Sequence, residues 1–220
     1  MNAMLLAAGR GERLRPLTDS RPKPLVDVAG YPLIDYHLRA LAAADVRRVV
    51  INLSWLGEQI VDAVGDGGDY GLDVRYSDEG AHALETGGGV TRALPLLGDE
   101  PFLVINADVW TDYPLDRLTK LASGTAASVV LVDNPAHNPD GDFDLREARL
   151  TNDRRYTFSG IGLYRPAFFE GYGERYSLAT PLRDGAARGD VAAEHFPGQW
   201  WDVGTAQRLS ALRSFLAGDR

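Results

Sequence analysis

Phosphate chemistry calls for fixed cations, backbone N–H groups that can approach an anion closely, and a carboxylate or two to hold a metal. This 220-residue chain offers all three. The run Ala7-Ala8-Gly9-Arg10-Gly11-Glu12-Arg13-Leu14 follows a short apolar stretch. Glycines in a turn after a strand expose N–H groups to an anion. Between residues 10 and 23, Arg10, Arg13, Arg15, Arg21 and Lys23 stand against Glu12 and Asp19, a local charge of +3 in a chain of net −8. Such a patch suits a small polyanion, for example a triphosphate. A tight turn with solvated arginines would have the same composition. The string lacks G-x-x-x-x-G-K-[ST], and Leu14 stands where a dinucleotide fingerprint needs its third glycine.

Lys23 lies in Arg21-Pro22-Lys23-Pro24-Leu25, and only Lys23 and Lys120 are lysines among 23 basic residues. Prolines on both sides stiffen the segment, so the lysine can place a point charge against a phosphate. Asp108 ends the apolar run Phe102–Asn106, and Asp202 stands in Trp200-Trp201-Asp202-Val203-Gly204-Thr205. Carboxylates at strand ends suit Mg²⁺, which takes one or two of them together with substrate phosphates. Asp108 starting a turn, or Asp202 capping a helix, are the plainer readings, although Thr205 is itself a candidate cap. Glu85-Thr86-Gly87-Gly88-Gly89 opens a helix, as a backbone wall for a nucleotide or as a flexible turn.

Elements to position these groups follow from the hydrophobic pattern. Strands are expected at Ala3–Ala8, Val46–Asn52, Leu72–Tyr76, Phe102–Asn106 and Ser128–Asp133. Continuous apolar runs such as Val49-Val50-Ile51 fit a sheet covered on both faces. Helices are expected at Leu33–Ala44, at Leu56–Val64 up to Gly65-Asp66-Gly67-Gly68, and around Val90, Leu94 and Leu97. The alternation points to an α/β fold with a mostly parallel sheet, whose ligands sit beyond the carboxyl ends of the strands. Residues 134–156, turn-rich with a short polar strand at Leu145–Leu150, read as an excursion that could cover a substrate. Tyr156–Tyr164 and Gln199–Val203 read as returning strands, and Ala206–Leu216 as a terminal helix. One domain over 1–220 is expected.

Composition excludes several classes. With no cysteine there is no disulfide framework, thiolate zinc site or cysteine nucleophile. An acidic chain without a basic helix is a poor nucleic-acid binder. No run of 18 apolar residues suggests a membrane span. The N-terminus lacks the pattern of a secretory signal, so a cytoplasmic protein is expected.

Read together, Leu6–Arg13, Pro16-Leu17-Thr18 and Pro22-Lys23-Pro24-Leu25 resemble the signature of the sugar-1-phosphate nucleotidyltransferase family. Asn106-Ala107-Asp108 and Trp201-Asp202-Val203-Gly204-Thr205 resemble its two metal-aspartate segments in the same order. The resemblance implies a Rossmann-like nucleotidyltransferase fold, a central sheet flanked by helices with a small sugar-side excursion. It implies nucleotide contacts from Leu6, Ala7, Ala8, Gly9, Gly11, Glu79, Thr86, Gly87 and Asn106. Gly88, Gly141, Ser159 and Gly160 would serve the sugar. Arg13 and Lys23 would stabilise phosphate charge, and Asp108 and Asp202 would hold Mg²⁺. The strings Tyr31–Leu38, Leu84–Gly89, Asp108–Tyr113 and Leu131–Pro135 favour UTP and N-acetylmuramate α-1-phosphate as substrates. Guanylyl transfer to mannose- or heptose-1-phosphate, or uridylyl or thymidylyl transfer to glucose-1-phosphate, are the alternatives, with a silent nucleotide-sensing relative a further one. The Glu-Lys-Pro segment of many hexose-specific relatives is missing around 147–157.

Overall fold

The computed structural model describes residues 1–80 and 83–218. In chain order the elements are β1 (Asn2–Leu6), α1 (Leu17–Ser20), β2 (Asp27–Val28), β3 (Tyr31–Pro32), α2 (Leu33–Ala43), β4 (Arg48–Leu53), α3 (Gly57–Val64), β5 (Asp73–Asp78) and α4 (Glu85–Leu97). They continue with β6 (Phe102–Asn106), β7 (Val109–Thr111), β8 (Ala127–Val132), β9 (Phe143–Arg146), β10 (Arg149–Tyr164), α5 (Ala179–Arg188), β11 (Val191–Phe196), β12 (Trp200–Asp202) and α6 (Ala206–Gly218).

Eight strands form one sheet in the order β11-β8-β10-β6-β1-β4-β5, with β9 paired to β10. The pairs β1–β4, β1–β6, β4–β5 and β8–β11 are parallel, and β10 is antiparallel to each of its neighbours. Seven strands therefore share one direction and β10 alone opposes them. The fold is α/β with a mostly parallel sheet, as the pattern implied.

The apolar runs are continuous because the sheet is buried on both faces. Ala3 and Leu5 join Val49, Ile51, Leu103 and Ile105 in one core, where Ile34, Leu38 and Leu41 of α2 and Ile60 and Val64 of α3 pack. Met4, Val50, Phe102 and Val104 point the other way, against Val90, Ala93 and Leu97 of α4 and Leu182 of α5. The period of two along each strand assigns successive side chains to opposite faces. A third cluster, with Leu14, Val26, Val28 and Leu33 against Val203, Leu209 and Leu212, binds α6 to the loop after β1.

Several expectations on the C-terminal side need correction. The expected strand Leu145–Leu150 is instead a hairpin corner: β9 and β10 pair with Arg146 opposite Arg149, and Glu147 and Ala148 between them have φ of 50° and 59°. Two-residue hairpin loops need positive φ, normally signalled by Asn-Gly, and Glu-Ala gives no such cue. Within the expected excursion, the stretch 134–142 lies off the sheet, since β9 and the start of β10 extend the sheet. The strand at Trp200–Asp202 pairs with β7 in a separate two-stranded ribbon. The pattern also missed α5 and β11. The sequence Val191-Ala-Ala-Glu-His-Phe196 has little strand propensity of its own, and its pairing with β8 supplies the missing preference.

Candidate active site

The carboxyl ends of β1, β4, β5 and β6 open into a cleft of about 530 Å³. Leu6, Ala7, Ala8, Gly9, Gly11, Arg13, Lys23, Glu79, Thr86, Asn106 and Asp108 all line it. The parallel strands explain the convergence. Leu6 and Asn106 are register partners at the ends of β1 and β6, so the loops that follow leave the sheet side by side.

The loop after β1 depends on two glycines for different reasons. Gly11 has φ of 67°, and a Cβ there would stand 3.0 Å from Thr18 Cγ2 and 3.3 Å from Lys23 Cβ. No other residue fits that left-handed turn comfortably. At Gly9 a Cβ would meet nothing within 4 Å, so this backbone faces open cleft. Thr18 Oγ1 donates to Gly11 O at 2.8 Å and fixes the turn.

Lys23 is 8% exposed and opens a 3-10 turn between its two prolines. Its Nζ donates to Asp108 Oδ2 at 2.6 Å. The buried stem and stiff backbone hold the ammonium at one spot on the cleft wall. Arg15 is paired with Asp19 at 3.1 Å, and Arg10 stacks on Trp55 at 4.4 Å from the ring centre. Arg13 lines the cleft and is exposed.

The β7–β12 ribbon brings the Asp202 backbone beside that of Asp108, while the Asp108 side chain lines the main cleft and that of Asp202 a second hollow. Asp202 is opposite Val109, and Val203 N–H donates to Asp108 O at 2.7 Å. Thr205, not Asp202, caps α6, accepting from Arg208 N–H at 3.3 Å. Asp202 Oδ1 lies 3.2 Å from His137 Nε2 and Oδ2 lies 3.0 Å from Arg208 Nη2. These three residues line a second hollow of about 340 Å³, together with Asp133, Gln199, Trp200 and Trp201. Neighbouring Gly204 lines the main cleft. Two hard carboxylates on adjoining strand ends match what Mg²⁺ takes when phosphates complete its shell. Among the described residues no group of three or more His, Asp or Glu could cage an ion by itself.

Behind Asp108 sits His37 of α2. Burial pushes its pKa from 6.5 down to about 4, partly offset by hydrogen bonding to the Val109 backbone and by the Asp108 charge. The imidazole is therefore neutral near pH 7.

Gly87 and Gly88 lie apart from the cleft lining. Both N–H groups donate to Tyr176 O, at 2.9 and 3.1 Å, and added Cβ atoms would strike the Tyr176 ring and Glu174 O. Gly141 is pressed against the Tyr156 backbone, and Ser159 Oγ donates to Val130 O at 2.7 Å. Gly160, with φ of 80°, leaves a Cβ only 2.5 Å from Asn106 Nδ2. Sequence reasoning missed Asn52, His137 and Arg208. Asn52 was detectable as the polar residue ending an apolar strand, whereas His137 and Arg208 are brought to Asp202 only by folding.

An α/β sheet whose parallel strand ends carry a glycine turn, a buried lysine and Asp108, with Asp202 on the ribbon beside them, fits a nucleotide-handling transferase. The nucleotidyl transferase profile matches residues 2–142, and the chain belongs to that family. It is 49% identical to the N-acetylmuramate alpha-1-phosphate uridylyltransferase of Neisseria meningitidis, over 99% of both chains. It is 34% identical to the protein of that name from Caulobacter vibrioides, over 98% of this chain and 96% of that one. Among solved structures, a putative glucose-1-phosphate thymidylyltransferase from Bacillus anthracis superposes with a TM-score of 0.85 at 19% identity, covering 98% of this chain and 95% of the other.

Proposed function

We propose that this chain transfers UMP from UTP to N-acetylmuramate α-1-phosphate, giving UDP-N-acetylmuramate and pyrophosphate in peptidoglycan recycling. The observation that carries the reaction class is the buried Lys23 ammonium held 2.6 Å from Asp108 on the wall that also presents Gly9, Gly11 and Arg13. Full-length identity of 49% to the Neisseria protein supports the choice of substrates. Similarity to the mannose-1-phosphate guanylyltransferase of Mycobacterium tuberculosis spans only 60% of this chain and 36% of that one, which ranks guanylyl transfer second. A silent sensor would be free to lose a carboxylate or the lysine, yet Arg13, Lys23, Asp108 and Asp202 are all retained.

In this reading a phosphate oxygen of the sugar 1-phosphate attacks the α-phosphorus of UTP in line. The bond from that phosphorus to the bridging oxygen breaks, and its electron pair leaves with pyrophosphate. A sugar phosphate is already ionised near pH 7, so the step needs no general base. Asp108 and Asp202 would hold Mg²⁺, which when bound neutralises phosphate charge. Lys23 and Arg13 supply fixed positive charge where it builds up, and the Gly9–Gly11 turn holds the phosphates in place. Thr86 lines the cleft, while Gly88, Gly141, Ser159 and Gly160, which the resemblance assigns to the sugar, support the site from behind its lining. Residues 1–220 act as one cytoplasmic domain. Among the described residues no helix is long and apolar enough to cross a membrane.

Pyrophosphate release with Mg²⁺ tests this, with UTP, GTP and dTTP each set against N-acetylmuramate α-1-phosphate, glucose-1-phosphate and N-acetylglucosamine-1-phosphate. UTP with the muramate substrate is expected to dominate. Turnover with another pair only would keep the chemistry and discard the pathway. No turnover with any pair would sink the enzymatic reading.

A further inference from the structure

Each carboxylate proposed for Mg²⁺ has its own basic partner. Lys23 meets Asp108, and Arg208 meets Asp202, with Nη2 3.0 Å from Oδ2. The Asp202 side chain is the less exposed of the two, 17% against 39% for Asp108. Arg208 Nε and Nη2 are buried without a hydrogen-bond partner, so the Asp202 charge is what offsets burial of the guanidinium. The chain between the pair is short and fixed. Val203 N–H donates to Asp108 O, Thr205 Oγ1 accepts the Arg208 N–H, and Leu209 and Leu212 seat α6 in the third cluster. Gly204 completes the fit, since a Cβ there would lie 1.8 Å from Arg208 Nη2 and 3.0 Å from Asp202 Oδ2. Gly204 lines the main cleft, whereas Asp202 and Arg208 line the second hollow. The ion pair thus stands directly behind a stretch of cleft wall that has no side chain. His137 Nε2 approaches the other carboxylate oxygen, Oδ1, at 3.2 Å.

We infer that Arg208 is a positioning residue that holds the Asp202 carboxylate at this partition and so sets the affinity of the site for Mg²⁺. The inference rests on the proposed nucleotidyl transfer, in which Asp202 is a metal ligand. A carboxylate has about four acceptor directions, so one contact per oxygen leaves capacity on both for a cation. Without the guanidinium the side chain would be free to turn into the second hollow. Only the fraction aimed at the cleft could then bind metal, and apparent affinity falls by that fraction. Partners of ligating carboxylates are typically worth about 10- to 100-fold in metal affinity. Loss of a positive charge alone would act in the opposite direction, because it leaves the site more negative. The two effects differ in sign, so one measurement decides between them.

The test is calorimetric binding of UTP to the whole protein without sugar phosphate, once as the preformed Mg²⁺ complex and once in excess EDTA, with thermal melting in parallel. Wild type is expected to prefer the Mg²⁺ complex by at least about 10-fold. Arg208→Met and Arg208→Gln should each lower that preference about 10-fold, while affinity for metal-free UTP stays within about 3-fold of wild type. Asp202→Ala should lose the same preference, and adding Arg208→Met to it should cost nothing further, because Arg208 acts through the carboxylate. A merely structural role would shift the melting temperature and leave the preference unchanged. That result, a stronger preference for the Mg²⁺ complex in the Arg208 variants, or a wild type that binds UTP no better with Mg²⁺, overturns the inference. Sugar-dependent pyrophosphate release by the same wild-type sample reports separately on the reaction itself.

Discussion

β5, β4, β1 and β6 share a sheet with β10, β8, β11 and β9, yet only the first four bring their carboxyl ends to the main cleft. The end of β8, at Val132 and Asp133, faces the second hollow instead. The cause is β10, which lies between β6 and β8 and runs against both. A parallel set of strands gathers its loops at one edge, so polar residues at strand ends converge without further instruction. Across an antiparallel strand the neighbouring residues come from mid-strand, as Ile161 does opposite Ile105. Ser159 and Gly160 accordingly serve as packing and hydrogen-bonding partners beneath the site rather than as part of its wall. The carboxylates divide in the same way: Asp108 belongs to the parallel half, and Asp202 reaches it only through the small ribbon with β7.

The largest effect is expected where the two halves meet. Asp108→Ala and Asp202→Ala should each lower kcat by about 10² to 10³, the scale of losing one transition-state electrostatic partner. Steady-state pyrophosphate release checks this. Near-normal turnover in Asp202→Ala alone would confine the chemistry to the parallel half.

The second effect concerns His37, behind the parallel half. Its folded pKa of about 4 lies below its usual 6.5, so between these values the unfolded chain binds more protons than the folded one. Its contribution is complete above pH 6.5 and is lost as pH falls toward 4. The full loss is about 3 kcal/mol, and part of it should disappear in His37→Gln. Urea melts of both proteins between pH 7 and 4 measure the difference, and parallel curves would exclude His37 as the source.

Third, a pair of glycines contrasts a supporting position with a lining one. Gly160→Ala combines φ of 80° with a 2.5 Å clash at Asn106, and should cost about 1–3 kcal/mol of stability. Gly9→Ala meets nothing and should change stability by less than about 0.5 kcal/mol while raising KM for UTP. Denaturant midpoints and KM values read both, and equal destabilisation would erase the distinction. The smallest effect belongs to the β9–β10 hairpin, which does not line the cleft. Ala148→Gly relieves a left-handed alanine and should stabilise the fold by up to about 1 kcal/mol with kcat unchanged.

Much of the parallel half was legible in the sequence. The runs at Met4, Val49-Val50-Ile51 and Phe102–Asn106 named their strands, and the strand-end rule led to Gly9, Asn106 and Asp108, whereas Glu79 came from the family resemblance and Asn52 was passed over. Each local signal agreed with the global arrangement there. The other half hid itself for identifiable reasons. Glu147-Ala148 turns without a glycine, β11 gains strand character only from β8, and β10 runs 16 residues from exposed hairpin to buried core.

The sequence by itself determined the alternation of strands and helices, the stiff Pro22-Lys23-Pro24 segment, the glycine turn after β1 and the capping of α6 by Thr205. These depend on backbone restrictions and on contacts between residues close in the chain. Tertiary structure alone decided that Lys23 meets Asp108 across 85 positions, that Asn52 meets Glu79 across 27, and that His137 and Arg208 converge on Asp202. Those meetings depend on strand order and register, which long-range packing sets and which no local pattern encodes.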